Sequence, residues 1–160
     1  MTPTPGAADR ISSLTGYQLL RLGELVQRRV EGELARWGLT GKELRVLAYA
    51  HDAPRSQRGL AAVSRMDRTT MTAVVNKLES LGYVRRERDA GDRRKYVVAV
   101  TGEGARTVEA ALARLAEAER AFLGPLTPVE RSLLANMTAR LVAGQESAES
   151  ENLRAPQEYS

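Results

Sequence analysis

The chain has no cysteine, a single histidine and few aromatic residues, 4% of its 160 positions. Without cysteine there is no disulfide, no thiolate metal site and no thiol redox switch, which fits a reducing cytoplasm. His51 is the only histidine, no Gly-rich phosphate loop follows a strand, and Glu109, Glu117 and Glu119 are spaced as the solvated face of a helix. No catalytic set assembles from these residues, so the chain reads as a non-enzyme without cofactor or metal. No run reaches 18 apolar residues, and the first residues, MTPTPGAADR, lack the apolar core of a signal peptide. The expectation is a cytoplasmic protein with no membrane partner. With 42% hydrophobic and 28% charged residues, it has the composition of one soluble domain with a mainly aliphatic core.

What the chain does have is localised positive charge. Between Arg55 and Lys95 there are 11 Lys/Arg against 5 Asp/Glu, a net of +6, while the remaining residues carry 13 against 15, a net of −2. A basic block in an otherwise near-neutral chain is the footprint of a nucleic-acid face, although a solvated charged surface has the same composition. Its densest part is YVRRERDAGDRRKYVVAVT, Tyr83 to Thr101.

The apolar spacing predicts a long first helix from Arg10 to Arg36, after a lead-in over residues 1–9, with Gly38 as its stop. Thr40 and Glu43 form a capping box for a second helix that runs to about His51 and ends near Pro54. Ser56 caps a short third helix to Ser64. Asp67 caps a fourth, in which Met71, Val74, Val75, Leu78 and Leu81 make the apolar face and Gly82 is the stop. Two short helices around a tight turn at Arg65 and Met66 make a helix-turn-helix. Tyr83 to Arg88 and Lys95 to Val100 are strand-like, with turn chemistry in Asp89-Ala90-Gly91-Asp92, so a hairpin wing follows. A long helix from Thr101 to Gly124-Pro125 comes next. A last helix opens at Thr127-Pro128-Val129-Glu130, and beyond Gln145 the chain becomes a polar tail, residues 146–160.

The fold class is therefore mainly α with a small two-stranded β wing (α+β), a winged helix-turn-helix with long flanking helices. This order resembles the MarR (multiple-antibiotic-resistance regulator) family of bacterial transcription factors. The resemblance lies in Leu39-Thr40, in Leu60-Ala61, and above all in LESLGYVRRERDAGDRRKYVVAVTGEG. That stretch is similar to the family's wing signature at Leu78 and Gly82, at Arg86, Asp92 and Arg94, and at Val100, Thr101 and Gly104. Three positions depart from the family's pattern. Gly59 stands where a glutamate is frequent, and Ser64-Arg65 replaces a frequent apolar-glycine pair.

A recognition helix fits the major groove, and Arg68, Thr69, Thr72 and Asn76, on the outward face of the fourth helix with Thr70 and Lys77 beside them, are residue types that read base edges or phosphates there. An ordinary amphipathic surface helix has a similar face; the wing distinguishes the two. Arg94 matches the family's wing-tip arginine, which an A·T-rich minor groove can accept. Arg93 and Lys95 lie close enough for the flanking phosphates, and Arg86 or Arg88 supports the wing's base. Asp92 either holds the Arg94 guanidinium or, like Asp89, simply forms the turn. Ser56 and Gln57 are candidate phosphate contacts, though capping explains Ser56 nearly as well.

One recognition helix covers only a short half-site, so the expected partners are double-stranded DNA and a second copy of the chain, acting as a homodimer on an inverted repeat. Leu14, Leu133, Leu134, Met137 and Leu141 are candidate interface residues, and intramolecular packing suits some of them as well. The organisation expected is a single MarR-like unit over 10–145, with a DNA-binding lobe at 39–101 and dimerisation helices at 10–36 and 102–143. The resemblance implies a repressor more often than an activator, released by a small aromatic or anionic effector. Tyr17, Arg21, Trp37 and Tyr49 are candidates to line its pocket, beside the alternative that each packs in the core or an interface. A winged-helix protein-interaction module or a non-specific architectural DNA binder is the rival reading, though an interaction module has no need of Arg94 at a wing tip.

Overall fold

The computed structural model of the protein describes residues 6–152. In chain order the elements are α1 (Ala7–Ser12), α2 (Thr15–Leu34), a 3-10 turn (Ala35–Trp37), α3 (Gly41–Asp52), α4 (Gln57–Ser64), α5 (Arg68–Ser80), β1 (Val84–Arg88), β2 (Tyr96–Val100), α6 (Gly102–Phe122) and α7 (Pro128–Asn152). The chain divides into two compact units at Ala118–Glu119. The first holds the elements from α1 to β2 and most of α6; the second holds the end of α6 and α7. Among the described residues no helix is long and apolar enough to cross a membrane.

Three boundaries differ from the sequence expectation. The single helix from Arg10 to Arg36 is broken at Ser13 and Leu14. The Ser12 and Ser13 hydroxyls donate to the carbonyls of Ala8 and Arg10 (2.9 and 2.8 Å), offering the backbone an alternative to continued helix. Leu14 turns extended, with φ −69° and ψ 126°. Ile11 and Leu14 keep helical spacing across the break, so periodicity alone does not reveal it. The lead-in is also shorter than expected: α1 starts at Ala7, and the Asp9 carboxylate accepts the Gly6 N–H (3.2 Å). Residues 1–5 lie outside the described residues. At the other end α7 continues past Gln145 to Asn152, so the first part of the expected polar tail is helical; residues 153–160 lie outside the described residues.

The other starts and stops match their local chemistry. The Thr40 N–H donates to Glu43 (2.7 Å) at the start of α3, Ser56 Oγ accepts the Gly59 N–H (3.0 Å), and Gly38 and Gly82 take the left-handed conformation after their helices. In the second unit, the Thr127 hydroxyl and N–H both donate to Glu130 (2.7 Å each) and hold its carboxyl below the usual range.

The core is aliphatic, as the shortage of aromatics requires. Leu34, Val46, Leu47, Leu60, Met71, Val75 and Leu78 are buried in one cluster that joins α2 to α5. Val84, Val98 and Val108 extend it into the wing strands and α6. The strands pair antiparallel in the register Val84↔Val100 to Arg88↔Tyr96. Arg55 adds a single bridge on the other side of β2, accepting from the Val98 N–H (2.8 Å). Three successive residues of β2, Val97, Val98 and Ala99, are buried in place of the usual alternation.

The α4–α5 turn shows how the departures from the family pattern are accommodated. Arg65 takes the left-handed conformation, φ 51°, which a glycine would adopt at no steric cost. Ser64 is buried at 2% exposure, and its hydroxyl has no hydrogen-bond partner among the described residues. Its carbonyl accepts from Arg45 (3.0 Å), which ties the turn to α3.

The start of α6 allows no side chain at residue 104. A Cβ there would lie 2.0 Å from the Tyr83 carbonyl oxygen. The Thr101 hydroxyl donates to the Gly82 carbonyl (2.7 Å) and accepts the Gly104 N–H (3.0 Å), and the Thr101 N–H donates to the Tyr83 carbonyl (2.9 Å). Gly104→Ala is expected to destabilise the fold by about 3 kcal/mol or more, since the obstacle is backbone and cannot rotate away. Ser64→Ala, which removes a buried unpaired hydroxyl, is expected to be neutral or to stabilise by up to about 1 kcal/mol. Urea unfolding of both variants measures this; a harmless Gly104→Ala contradicts the first expectation, and a strongly destabilising Ser64→Ala the second.

Candidate nucleic-acid interface

The fourth predicted helix is α5, and its outward face is a shallow groove lined by Arg68, Thr69, Thr72, Ala73 and Asn76. These five residues recur at i, i+1, i+4, i+5 and i+8 of one helix, opposite the buried Met71, Val74, Val75 and Leu78. Burial of the apolar face therefore fixes the direction in which the polar one points.

The groove's neighbours are tied down by specific bonds. Gln57, at the first position of α4, donates to Thr72 Oγ1 (2.7 Å), and the Thr72 hydroxyl itself donates to the Arg68 carbonyl (2.9 Å). Thr70 is engaged in the cap: its N–H and hydroxyl donate to the two oxygens of Asp67 (2.9 and 2.6 Å). The Thr70 hydroxyl first, and then its N–H, hold the Asp67 carboxyl below the usual range. Lys77 is turned to α3, where its ammonium bonds both oxygens of Glu43 (2.9 Å each). Glu43 is buried, at 8% exposure, so the Lys77 charge is spent on a carboxylate inside the fold and is not among the groups that line the groove.

In the wing, the alternation of the strand sorts the arginines. Arg85 and Glu87 share one face and pair with each other (2.9 Å). Arg86 and Arg88 share the other. The Arg86 guanidinium reaches back to α5, donating to Asn76 Oδ1 (2.7 Å) and pairing with Glu79. Arg88 lies over the ring of its cross-strand partner Tyr96 at 5.4 Å and donates to the Arg93 carbonyl (2.6 Å). The sequence left Arg86 or Arg88 as the support of the wing: Arg86 fastens its base to α5, and Arg88 fastens its tip.

Both aspartates at the tip form turns. Asp89 Oδ1 accepts the N–H groups of Gly91 and Asp92 (2.8 Å each). Asp92 does not hold the Arg94 guanidinium; it accepts the Arg94 backbone N–H (3.1 Å) and pairs with the Lys95 ammonium (3.3 Å). The guanidinium groups of Arg93 and Arg94 are exposed and make no hydrogen bond or ion pair with any described residue, and the same holds for Arg68 and Arg58. Sequence reasoning passed over Arg58, although its place in the first turn of α4, beside Gln57, marked it.

The four candidate effector residues are not brought together. Tyr17 and Arg21 line a shallow depression with Ser12, Gln18, Leu22 and Leu25. Trp37 and Tyr49 instead pack, partly buried, against the core. The Trp37 carbonyl accepts the Tyr83 hydroxyl (3.1 Å), and Arg36 lies 5.4 Å from the Trp37 ring.

Helix, turn, recognition helix and hairpin in this arrangement define a winged helix-turn-helix DNA-binding protein. A sequence model described as "MarR family" matches residues 37–95. The transcriptional regulator HosA of Escherichia coli O127:H6 is 29% identical over 127 residues, which cover 79% of this chain and 93% of HosA. The crystal structure of CouR from Rhodococcus jostii RHA1 bound to p-coumaroyl-CoA is 30% identical, with TM-score 0.69, covering 82% of this chain and 91% of CouR. A structure of the transcriptional repressor CouR bound to a 23-mer DNA duplex is 26% identical, with TM-score 0.76, covering 87% of this chain and 99% of that one. The chain belongs to the MarR family of transcriptional regulators.

The Asp67 cap is expected to make α5 sensitive to acid. A carboxyl held below its usual range stabilises the fold fully above the unfolded-state pKa, and this contribution is lost as pH falls through the lower folded-state value. Asp67→Ala is expected to melt a few degrees below the parent protein at neutral pH, with the gap closing below about pH 4. Thermal melts across pH measure this; a gap that widens in acid contradicts it.

Proposed function

We propose that the chain is a cytoplasmic, sequence-specific transcriptional repressor with no catalytic step of its own, which binds a pseudo-palindromic operator as a homodimer and is released by a small aromatic or anionic effector. The observation that carries the DNA reading is the contrast between paired and unpaired cations. Lys77, Lys95, Arg85 and Arg86 are paired with carboxylates, whereas Arg68 on the groove and Arg93 and Arg94 on the wing tip are exposed and their guanidinium groups have no partner among the described residues. In this reading Arg68, Thr69, Thr72 and Asn76 face the major groove, Arg94 enters the minor groove, and Arg93 with Ser56 and Gln57 meets phosphates. CouR, a related protein named as a repressor, has been captured on DNA.

The dimer reading rests on apolar side chains left exposed in each unit: Ile11, Leu14 and Leu20 on and beside α1 and α2 in the first, and Leu133, Met137, Leu141 and Val142 on α7 in the second. A soluble chain buries such stripes against a partner. Residues 39–101 then form the DNA-binding lobe, and 10–36 with 102–143 the dimerisation helices. For the effector, Tyr17 and Arg21 line one depression, and an aromatic side chain beside a basic one suits an aromatic or anionic ligand. CouR binds p-coumaroyl-CoA, which is both.

Selection of bound fragments from a random duplex pool is expected to enrich an inverted repeat with half-site centres about one helical turn, roughly 10 bp, apart, and sedimentation at micromolar concentration to give a species of twice the chain mass. A pool that stays random contradicts sequence-specific regulation, and a monomer that binds the repeat tightly contradicts the dimer. On the selected site, Arg68→Ala is expected to relax discrimination inside the half-site by about 1–3 kcal/mol, and Arg94→Ala to weaken binding chiefly where the flanks are A·T-rich. Equal losses on every sequence for both variants contradict these separate roles.

A further inference from the structure

Asn76 lines the recognition groove, yet its side-chain oxygen is already engaged. Arg86 Nη2 donates to Asn76 Oδ1 at 2.7 Å, and Nη1 of the same guanidinium pairs with Glu79. A guanidinium has donors only, so this contact settles which end of the Asn76 amide is oxygen: Oδ1 faces Arg86, and the NH2 end is turned away from it. Asn76 and Glu79 are one helical turn apart on α5, and Arg86 sits on the strand face that looks toward them. The three groups form a clamp that spans α5 and the base of the wing.

We propose that Arg86, itself held by Glu79, is a specificity-determining positioning residue: it fixes the Asn76 amide so that this side chain offers only hydrogen-bond donors to the DNA. A free asparagine reads adenine in two-pronged fashion, its oxygen accepting from N6 and its nitrogen donating to N7. With its oxygen drawn sideways to the wing, Asn76 cannot set both ends against one base. Its NH2 group matches an edge that carries acceptors only, guanine with O6 and N7. The clamp therefore directs one position of each half-site toward guanine and against adenine. Glu79 keeps the Arg86 fork at the amide and offsets a charge that would otherwise be free to move to a phosphate. Arg86 thus influences which base is read without reading one itself.

This inference rests on the DNA-binding reading above and deepens it. The test uses the full-length protein and duplexes carrying the repeat it selects, with all four bases at each position. Asn76→Ala locates the position that Asn76 reads, as the one where base preference is lost. At that position the parent protein is expected to prefer guanine over adenine by about tenfold, and Arg86→Ala and Glu79→Gln to erase or reverse this preference, since the released amide can turn to adenine. Arg86→Lys keeps the charge but not the fork, so it is expected to retain the parent's salt dependence while still losing the guanine preference. A merely structural arginine would change affinity for all sequences alike. Glu79→Gln preserves shape on the helix surface and keeps the test available if Arg86→Ala fails to fold. The proposal is overturned if Asn76→Ala changes preference nowhere, if the parent prefers adenine at that position, or if the Arg86 and Glu79 variants keep the guanine preference. A parent protein that selects no sequence removes the DNA-binding reading itself, and this inference with it.

Discussion

Tyr83 joins three parts of the first unit within a single residue. Its N–H donates to the Leu78 carbonyl (3.0 Å) and closes the end of α5. Its own carbonyl accepts from the Thr101 N–H (2.9 Å) and faces Gly104 at a distance that excludes any Cβ. Its ring is buried, and its hydroxyl donates to the Trp37 carbonyl (3.1 Å). The helix end, the root of the wing and the first turn of α6 thus share one backbone segment with no room to slide. The end of α5 and the root of the hairpin meet at this point.

From that root outward, the basic block does two different jobs. Arg86 and Arg88 are structural in the free protein, one binding the wing to α5 and the other stacking on Tyr96 and gripping the tip. Exposed pairs of this kind contribute little to stability, about 0–1 kcal/mol each. Their value lies in geometry: they limit the directions the hairpin can take, so Arg93 and Arg94 are presented from a braced turn. The net charge of the block already sets Glu79, Glu87 and Asp92 against their partners, and Glu43, from outside the block, offsets Lys77 as well. A wing in which every cation was free would bind any duplex; one in which most are committed leaves a few groups to choose among sequences.

Much of this was legible in the sequence. Capping residues such as Thr40, Ser56, Asp67 and Thr127 act through their immediate neighbours, so the helix starts could be read locally. The wing followed from alternation and turn chemistry, and Thr101 and Gly104 belonged to a recognisable signature. The break at Ser13-Leu14 was hidden because the apolar spacing carries on across it. The fates of the polar side chains were less legible, because pairing depends on contacts distant in sequence: Lys77 with Glu43, Gln57 with Thr72, Arg86 with Asn76 and Glu79. Arg88 over Tyr96 could have been found, since the hairpin register sets them opposite each other. The bridge from Arg55 to Val98 had no local signal, because a single paired residue leaves no periodicity.

The central claim is that the block's cations divide into braces and free contacts, and the salt dependence of DNA affinity tests it most directly. Each phosphate contact adds about −0.9 to the slope of log affinity against log salt. Replacing Arg93, placed on a phosphate, or Arg94, whose charge in the minor groove also displaces counterions, by alanine is predicted to flatten that slope by up to about one unit per subunit, roughly two for a symmetric dimer. Replacing Arg85, which pairs with Glu87, is predicted to leave it nearly unchanged. Equal flattening from all three replacements, or an affinity indifferent to salt, would contradict the division.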